Sequence, residues 1–179
     1  MKTFSRLLIA IIIVLGLSAF PITAQFPNAG KLNTWTTRAV ARRHGATEAT
    51  YVRNIRVGRQ RGFDRVVFEF SGVMPNYRVE YLKSRYYENE GGTQRIKIAG
   101  RAFVEVNLNV IPADEEQLKL REQKDFIPQG RLKLTSLLEI EEARLFEGYY
   151  DFLLGISARK AFRVTELSNP LRLVIDFRN

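Results

Sequence analysis

Arg78 and Arg163, the run Arg85-Tyr86-Tyr87, and the carboxylates Glu139, Glu141, Glu142 and Asp151 are the side chains whose types and spacing could carry chemistry in this sequence of 179 residues. A carboxyl pair at the right separation does acid–base or nucleophilic work on a glycosidic bond. Flat aromatic rings beside hydrogen-bond donors stack on a sugar or a peptide stem. Guanidinium groups grip carboxylates and phosphates. A serine, cysteine or zinc mechanism needs a His or Cys partner, and the chain has no Cys and a single His, His44, in a stretch without periodicity. With 19 acidic residues carboxyl pairs arise in any fold, and Glu139 and Glu141 alternate as the wet side of a strand would. We therefore expect a protein that is not an enzyme, with no catalytic, metal-binding or cofactor-binding residue to name. The candidate ligand-binding residues are Arg78, Arg85, Tyr86, Tyr87 and Arg163. The competing reading makes the tyrosines a partly buried loop clasp and pairs the arginines across strands with Glu80 or Glu166.

These side chains need strands to hold them. Arg65-Val66-Val67-Phe68-Glu69-Phe70 has a near-copy in Arg172-Leu173-Val174-Ile175-Asp176-Phe177. Each alternates with period two between an apolar side and a side charged near both ends. Two strands of this kind, each able to cover the other's dry face, predict the central layers of a small β-sandwich, with the pairs Arg65–Glu69 and Arg172–Asp176 on the wet faces. Tyr51 to Gly58 leads through the basic turn Arg59-Gln60-Arg61-Gly62 into the first of them as a hairpin. Tyr77 to Leu82, Gln94 to Ile98, Ala102 to Val110, Leu132 to Leu145, Tyr149 to Ile156 and Phe162 to Leu167 are further strands. Residues 113–131 lose the alternation and predict a long loop or short helix.

An internal duplication runs through this pattern. Placing Ser71 on Ser157 brings Phe68 onto Leu154 and Phe70 onto Ile156, and with one gap Tyr77-Arg78-Val79 onto Phe162-Arg163-Val164. It predicts an all-β sandwich of two pseudo-symmetric sheets.

The N-terminal residues belong elsewhere. Lys2 and Arg6 precede an apolar run from Leu7 to Leu17, followed by small residues at Ser18, Ala19 and Ala24. The run is shorter than the roughly 20 residues of a membrane-spanning helix, and the order is that of a secretory signal peptide, 1–24. We expect an exported protein of the periplasmic or extracellular cell envelope, without a transmembrane span after cleavage. Residues 25–48, which hold Trp35 and His44, are expected to form a flexible basic linker. Loss of Lys2 and Arg6 leaves 26 basic against 19 acidic residues, a surplus that favours anionic surfaces; export argues against nucleic acid.

Gly62-Phe63-Asp64-Arg65-Val66-Val67-Phe68-Glu69-Phe70, Tyr77-Arg78-Val79, Phe146-Glu147-Gly148-Tyr149, Gly155-Ile156, Phe162-Arg163-Val164 and Asn169-Pro170-Leu171-Arg172-Leu173-Val174-Ile175-Asp176 carry a resemblance. They look like the AMIN-like domain of exported bacterial proteins, a relative of the AMIN modules of periplasmic amidases and secretins. The charged stretch at 113–131 is longer than in the commoner family pattern. The resemblance covers about residues 47–179 and implies a β-sandwich module, not catalytic, that places or anchors proteins in the envelope at peptidoglycan. The partner expected from it is peptidoglycan or another anionic wall polymer; the alternative is an assembly adaptor that binds an envelope protein through a sheet edge.

Overall fold

The computed structural model describes residues 30–45, 48–89, 92–111, 126–146 and 148–179. The expected signal peptide, the first residues of the expected linker and most of the 113–131 excursion lie outside the described residues. Among those described there is no helix, and none long and apolar enough to cross a membrane.

Among the described residues eleven strands follow one another: β1 (Val40–Arg42), β2 (Tyr51–Gln60), β3 (Phe63–Ser71), β4 (Asn76–Tyr81), β5 (Tyr86–Asn89), β6 (Gly92–Arg95), β7 (Ala102–Asn109), β8 (Leu137–Phe146), β9 (Tyr149–Ile156), β10 (Phe162–Leu167) and β11 (Arg172–Arg178). They form a five-stranded sheet in the order β1-β4-β7-β9-β8, a four-stranded sheet in the order β10-β11-β3-β2, and a two-stranded ribbon, β5-β6. The all-β sandwich expected from the alternation is the observed fold. Strand β8 starts later than the alternation suggested, and Ile96 and Ile98 lie beyond β6.

The dry faces meet as period two requires. Val66, Phe68 and Phe70 of β3 and Leu173, Ile175 and Phe177 of β11 pack in one core with Val79, Val104, Val106, Leu108, Phe152 and Leu154 of the facing sheet. Phe68 and Phe152 lie with ring centroids 5.2 Å apart, tilted at 56°. Each such fully buried side chain contributes about 1.5–3 kcal/mol of transfer free energy.

One expectation is corrected here. Strands β3 and β11 do not cover one another across the core; they are antiparallel neighbours, with Phe68 opposite Leu173 and Val66 opposite Ile175. Matching alternation reveals which side of a strand is dry, and two paired strands share that side as well as two opposed ones do. The strands that cover them are the duplicates from the other half.

The duplication is topological. β2-β3-β4-β7 and β8-β9-β10-β11 run through the same course, each with a hairpin in one sheet and a crossing into the other, so β4-β7-β9-β8 matches β10-β11-β3-β2 position for position. One bulge coincides: the register shifts between Val52 and Asn54 in β2 and between Leu137 and Glu139 in β8, with Ile55 opposite Phe68 and Ile140 opposite Leu154, whereas a second shift in β8, between Glu142 and Arg144, has no counterpart in β2.

Residues 30–45, expected as flexible linker, are docked. Thr36 exchanges backbone hydrogen bonds of 2.7 and 2.8 Å with Phe162, and Asn33 N donates to Val164 O. The arm then crosses to the other sheet, where Val40 lies opposite Val79 and both Val40 and Ala41 are buried. Two apolar residues inside a basic run are too few to show periodicity, which is why the sequence read as linker. On the opposite flank residues 126–136 close the sandwich. Ile55 N donates to Phe126 O, Leu132 N donates to Leu138 O, and the buried Asp64 carboxylate accepts from the amides of Ser136 and Leu137.

The ribbon lies over the outer face of the five-stranded sheet. Tyr87, Ile96 and Ile98 pack there on Phe103 and Leu153 as a second, smaller core. This approach requires a glycine beneath it: a Cβ on Gly155 would stand 1.9 Å from Ala99 O. Gly155→Ala is expected to cost about 2–4 kcal/mol in urea unfolding, through forced separation of the 96–99 segment from β9. Gly58→Ala, where a Cβ would meet nothing nearer than 3.8 Å, is expected to stay within about 0.5 kcal/mol of the parent.

Candidate functional site

The antiparallel registers set the outer face of the five-stranded sheet in rows. One row runs Arg78, Asn107, Asp151, Arg144 and the next Glu80, Glu105, Leu153, Glu141. Tyr87 reaches in from the ribbon and its hydroxyl donates to Asp151 Oδ2 at 2.6 Å. Asn107 Nδ2 donates to the other oxygen of the same carboxylate, and Arg144 Nε lies 2.7 Å from Oδ2. Arg78 turns along its own strand and forms a two-pronged pair with Glu80. Burial raises the Tyr87 hydroxyl pKa above its ordinary range, and the Asp151 carboxylate raises it further.

Glu105 stands in the middle of these charges. Burial first, then the neighbouring Asp151 and Glu80 carboxylates, push its carboxyl up to about 7, against the opposing pull of Arg144 and Arg78. No motif in the sequence marked Glu105; the alternation of β7 placed it on the outer side, and only the register shows what lies beside it.

The five candidate binding residues do not form one site. Tyr86 and Tyr87 stand on a strand, where the sequence reads as a loop, and adjacent strand residues face opposite ways. Tyr87 is buried, whereas Tyr86 is 56% exposed and lies across the ribbon from Arg95. Arg85 is tied down, with its guanidinium 4.9 Å from the centroid of Phe103 and Nη2 donating to Gly100 O at 2.7 Å. Arg78 lies on the same sheet face, inside the charged rows. Arg163 lies on the four-stranded sheet, in the place that corresponds to Arg78 by the duplication.

On that second face the row is Arg163, Asp176, Arg65. Arg65 donates to Asp176 through Nε and Nη2 at 2.6 and 3.0 Å, and Arg163 Nε donates to Oδ2 at 2.8 Å. Neither expected pair, Arg65–Glu69 or Arg172–Asp176, forms: Arg65, Asp176 and Glu69 find partners on neighbouring strands, and Arg172 turns back to the loop before it. Glu69 binds Arg56, and Arg172 Nε donates to Pro170 O. Residues two to four apart on a twisted strand are farther from one another than from the directly opposed residue of the next strand. The proposed Arg163–Glu166 pairing gives way to the same rule, while Arg78 does take Glu80.

The remaining chemistry is dispersed. Glu139, Glu141 and Glu142 line an open groove of about 440 Å³ beside Lys97, Ile98 and Ile127, and Glu139 accepts a hydrogen bond from Ala99 N. Asp151 is buried beneath Tyr87, so the four carboxylates considered for glycosidic chemistry do not converge on one cavity. His44 is held to the domain: its amide donates to Asn76 Oδ1, and Nε2 lies 3.2 Å from Glu166 Oε1, which also accepts from the Tyr77 hydroxyl.

Compared with known proteins, a family model described as the AMIN-like domain matches residues 50–179. No curated protein and no solved structure matches the chain.

The Glu105 environment gives a pH signature. Its folded pKa of about 7 lies above the ordinary value of 4.5, so the folded chain holds the extra proton and stability falls as pH rises across that interval. Glu105→Gln is expected to be more stable than the parent at pH 8 by roughly 1–3 kcal/mol, and the two proteins to converge near pH 4. Thermal unfolding at both pH values checks it; a difference that does not depend on pH would contradict the assignment.

Proposed function

The chain belongs to the AMIN-like domain family, and on that premise we propose that it is a non-catalytic cell-envelope module that associates with peptidoglycan. The observation that carries the reading is Tyr86, the most exposed large hydrophobic side chain among the described residues, set across the ribbon from Arg95 and next to Arg85. An open phenol ring opposite an exposed arginine, Arg95, offers a stacking surface for a sugar ring and a charged donor for the carboxylates of stem peptides. The core beneath the ribbon and Gly155 hold this surface in place, so little ordering is left to be lost on binding. The basic surplus of the chain and the secretory pattern of its first 24 residues support a working place outside the cytoplasm, at an anionic polymer.

Capture of a partner strand at a sheet edge draws no support from the way the edges are bonded. The edge strand β10 already bonds to residues 33 and 36, β2 and β8 bond to residues 126 and 132, and β1, the remaining edge, is only three residues long.

The protein is expected to sediment with purified insoluble peptidoglycan and to remain bound at 0.5–1 M salt, where screening of roughly 3–4 Å removes attraction by charge alone. Tyr86→Ala should weaken retention about ten-fold without a change in thermal midpoint. Complete release of the parent protein by salt, or equal retention of the variant, would sink the proposal.

A further inference from the structure

The outer face of the four-stranded sheet carries a feature that the other face lacks. Trp35, brought by the docked arm, lies with its ring 4.7 Å from the Arg163 guanidinium and 4.8 Å from that of Arg178. Phe63 meets Trp35 edge-on at 6.0 Å and carries Arg163 at 5.1 Å and Arg65 at 5.3 Å. Three guanidinium groups from three strands are thus stacked on two rings. The carboxylate among them, Asp176, is buried and bonded to Arg65 and Arg163. Arg178 is exposed and has no carboxylate partner among the described residues.

The duplication supplies an internal control. The superposition that puts Arg78 on Arg163 puts Asn107 on Asp176 and Asp151 on Arg65. The two rows on the five-stranded face set two arginines, Arg78 and Arg144, among four carboxyl groups; the cluster on the four-stranded face sets three arginines around one. Two sheets with the same backbone plan therefore carry patches of opposite sign. Like charges gathered at one place repel unless a counter-ion joins them, and a guanidinium stacked by its flat side keeps the N–H groups on its edges for an oxyanion.

We propose that Arg178, Arg163 and Arg65, organised by Trp35 and Phe63, form a binding site for a phosphate group. A single guanidinium satisfies both oxygens of a planar carboxylate, as Arg65 does with Asp176; several guanidinium groups around one patch suit a tetrahedral anion with more oxygens to fill. This site lies on a different face from Tyr86 and does not depend on the peptidoglycan reading.

Trp35 is the single Trp of the chain, so its emission reports on this site alone. Titration of the purified protein with inorganic pyrophosphate, at constant ionic strength set with chloride, is expected to change that emission saturably. Arg178→Gln should raise the apparent Kd about ten-fold, and Arg131→Gln, which removes an equal charge from an exposed position elsewhere, should leave it unchanged. A linear response, or equal effects of the two variants at unchanged thermal midpoints, overturns the proposal. If Arg178→Gln lowers the midpoint, Arg178→Lys replaces it: the site predicts weaker binding despite the retained charge, and parent-like binding overturns it. Phosphatidylglycerol vesicles, with phosphatidylcholine as reference, separate the sources. Sedimentation lost in Arg178→Gln assigns a lipid headgroup; a pyrophosphate response without sedimentation assigns a soluble or wall-borne phosphate.

Discussion

The structure rests on two antiparallel seams, β3 with β11 and β7 with β9. Each joins a strand of the first half of the domain to a strand of the second, and each lies in the middle of a sheet. Neither half owns a sheet. A hairpin from one half needs the crossing strands of the other to extend its ladder, and its apolar side is covered only by the opposite sheet, to which both halves contribute. Hydrogen bonding and burial are thus satisfied together or not at all. The same arrangement explains why the flanks need the arm at residues 33–42 and the segment at 126–136. Both sheets end in strands whose outer backbone groups must be met by something, and the chain meets them with its own connecting segments.

Much of this was legible in the residues. Period two in Val66-Phe68-Phe70 and Leu173-Ile175-Phe177 announced one dry and one wet side, and the Ser71–Ser157 superposition announced two equivalent sheets. The pairing of strands was not legible, because alternation is a property of one strand and adjacency is a property of two. The same limit applied to the charges. Arg65 and Asp176 looked like members of separate ion pairs within their own strands, and Arg163 like a partner of a glutamate across strands; only the register gathers the three into one row. Tyr86 and Tyr87 were marked by composition alone; once they stand on a strand, the alternation that serves the core also splits them, one ring to each side. The docked arm was hidden for another reason: its contribution is mostly backbone hydrogen bonding, to which any side chain except proline is admissible.

The two outer faces show how a duplicated frame diverges. The inner positions of both halves remain apolar because they fill a common core, and a change there is felt by both sheets. The outer positions answer only to their own face. On one, Asp151 takes hydrogen bonds from a tyrosine and an amide and forms an ion pair with an arginine, beneath a ribbon with its own small core. On the other, the equivalent place holds Arg65, and the covering element is a tryptophan from the arm. Selection on one surface can therefore proceed without repacking the interior, and a symmetric scaffold comes to present two unlike chemistries.

The Arg65–Asp176 bond spans 111 residues of sequence. Contacts at such separation form late, since the intervening chain must be closed into a loop before they repay its entropy. As the chain is made, β2 to β7 emerge without the central partners β11 and β9, and the first half has no sheet in which to settle. A polypeptide whose central seams each join its two halves completes neither sheet until both halves are available, so the two sheets form as one cooperative unit.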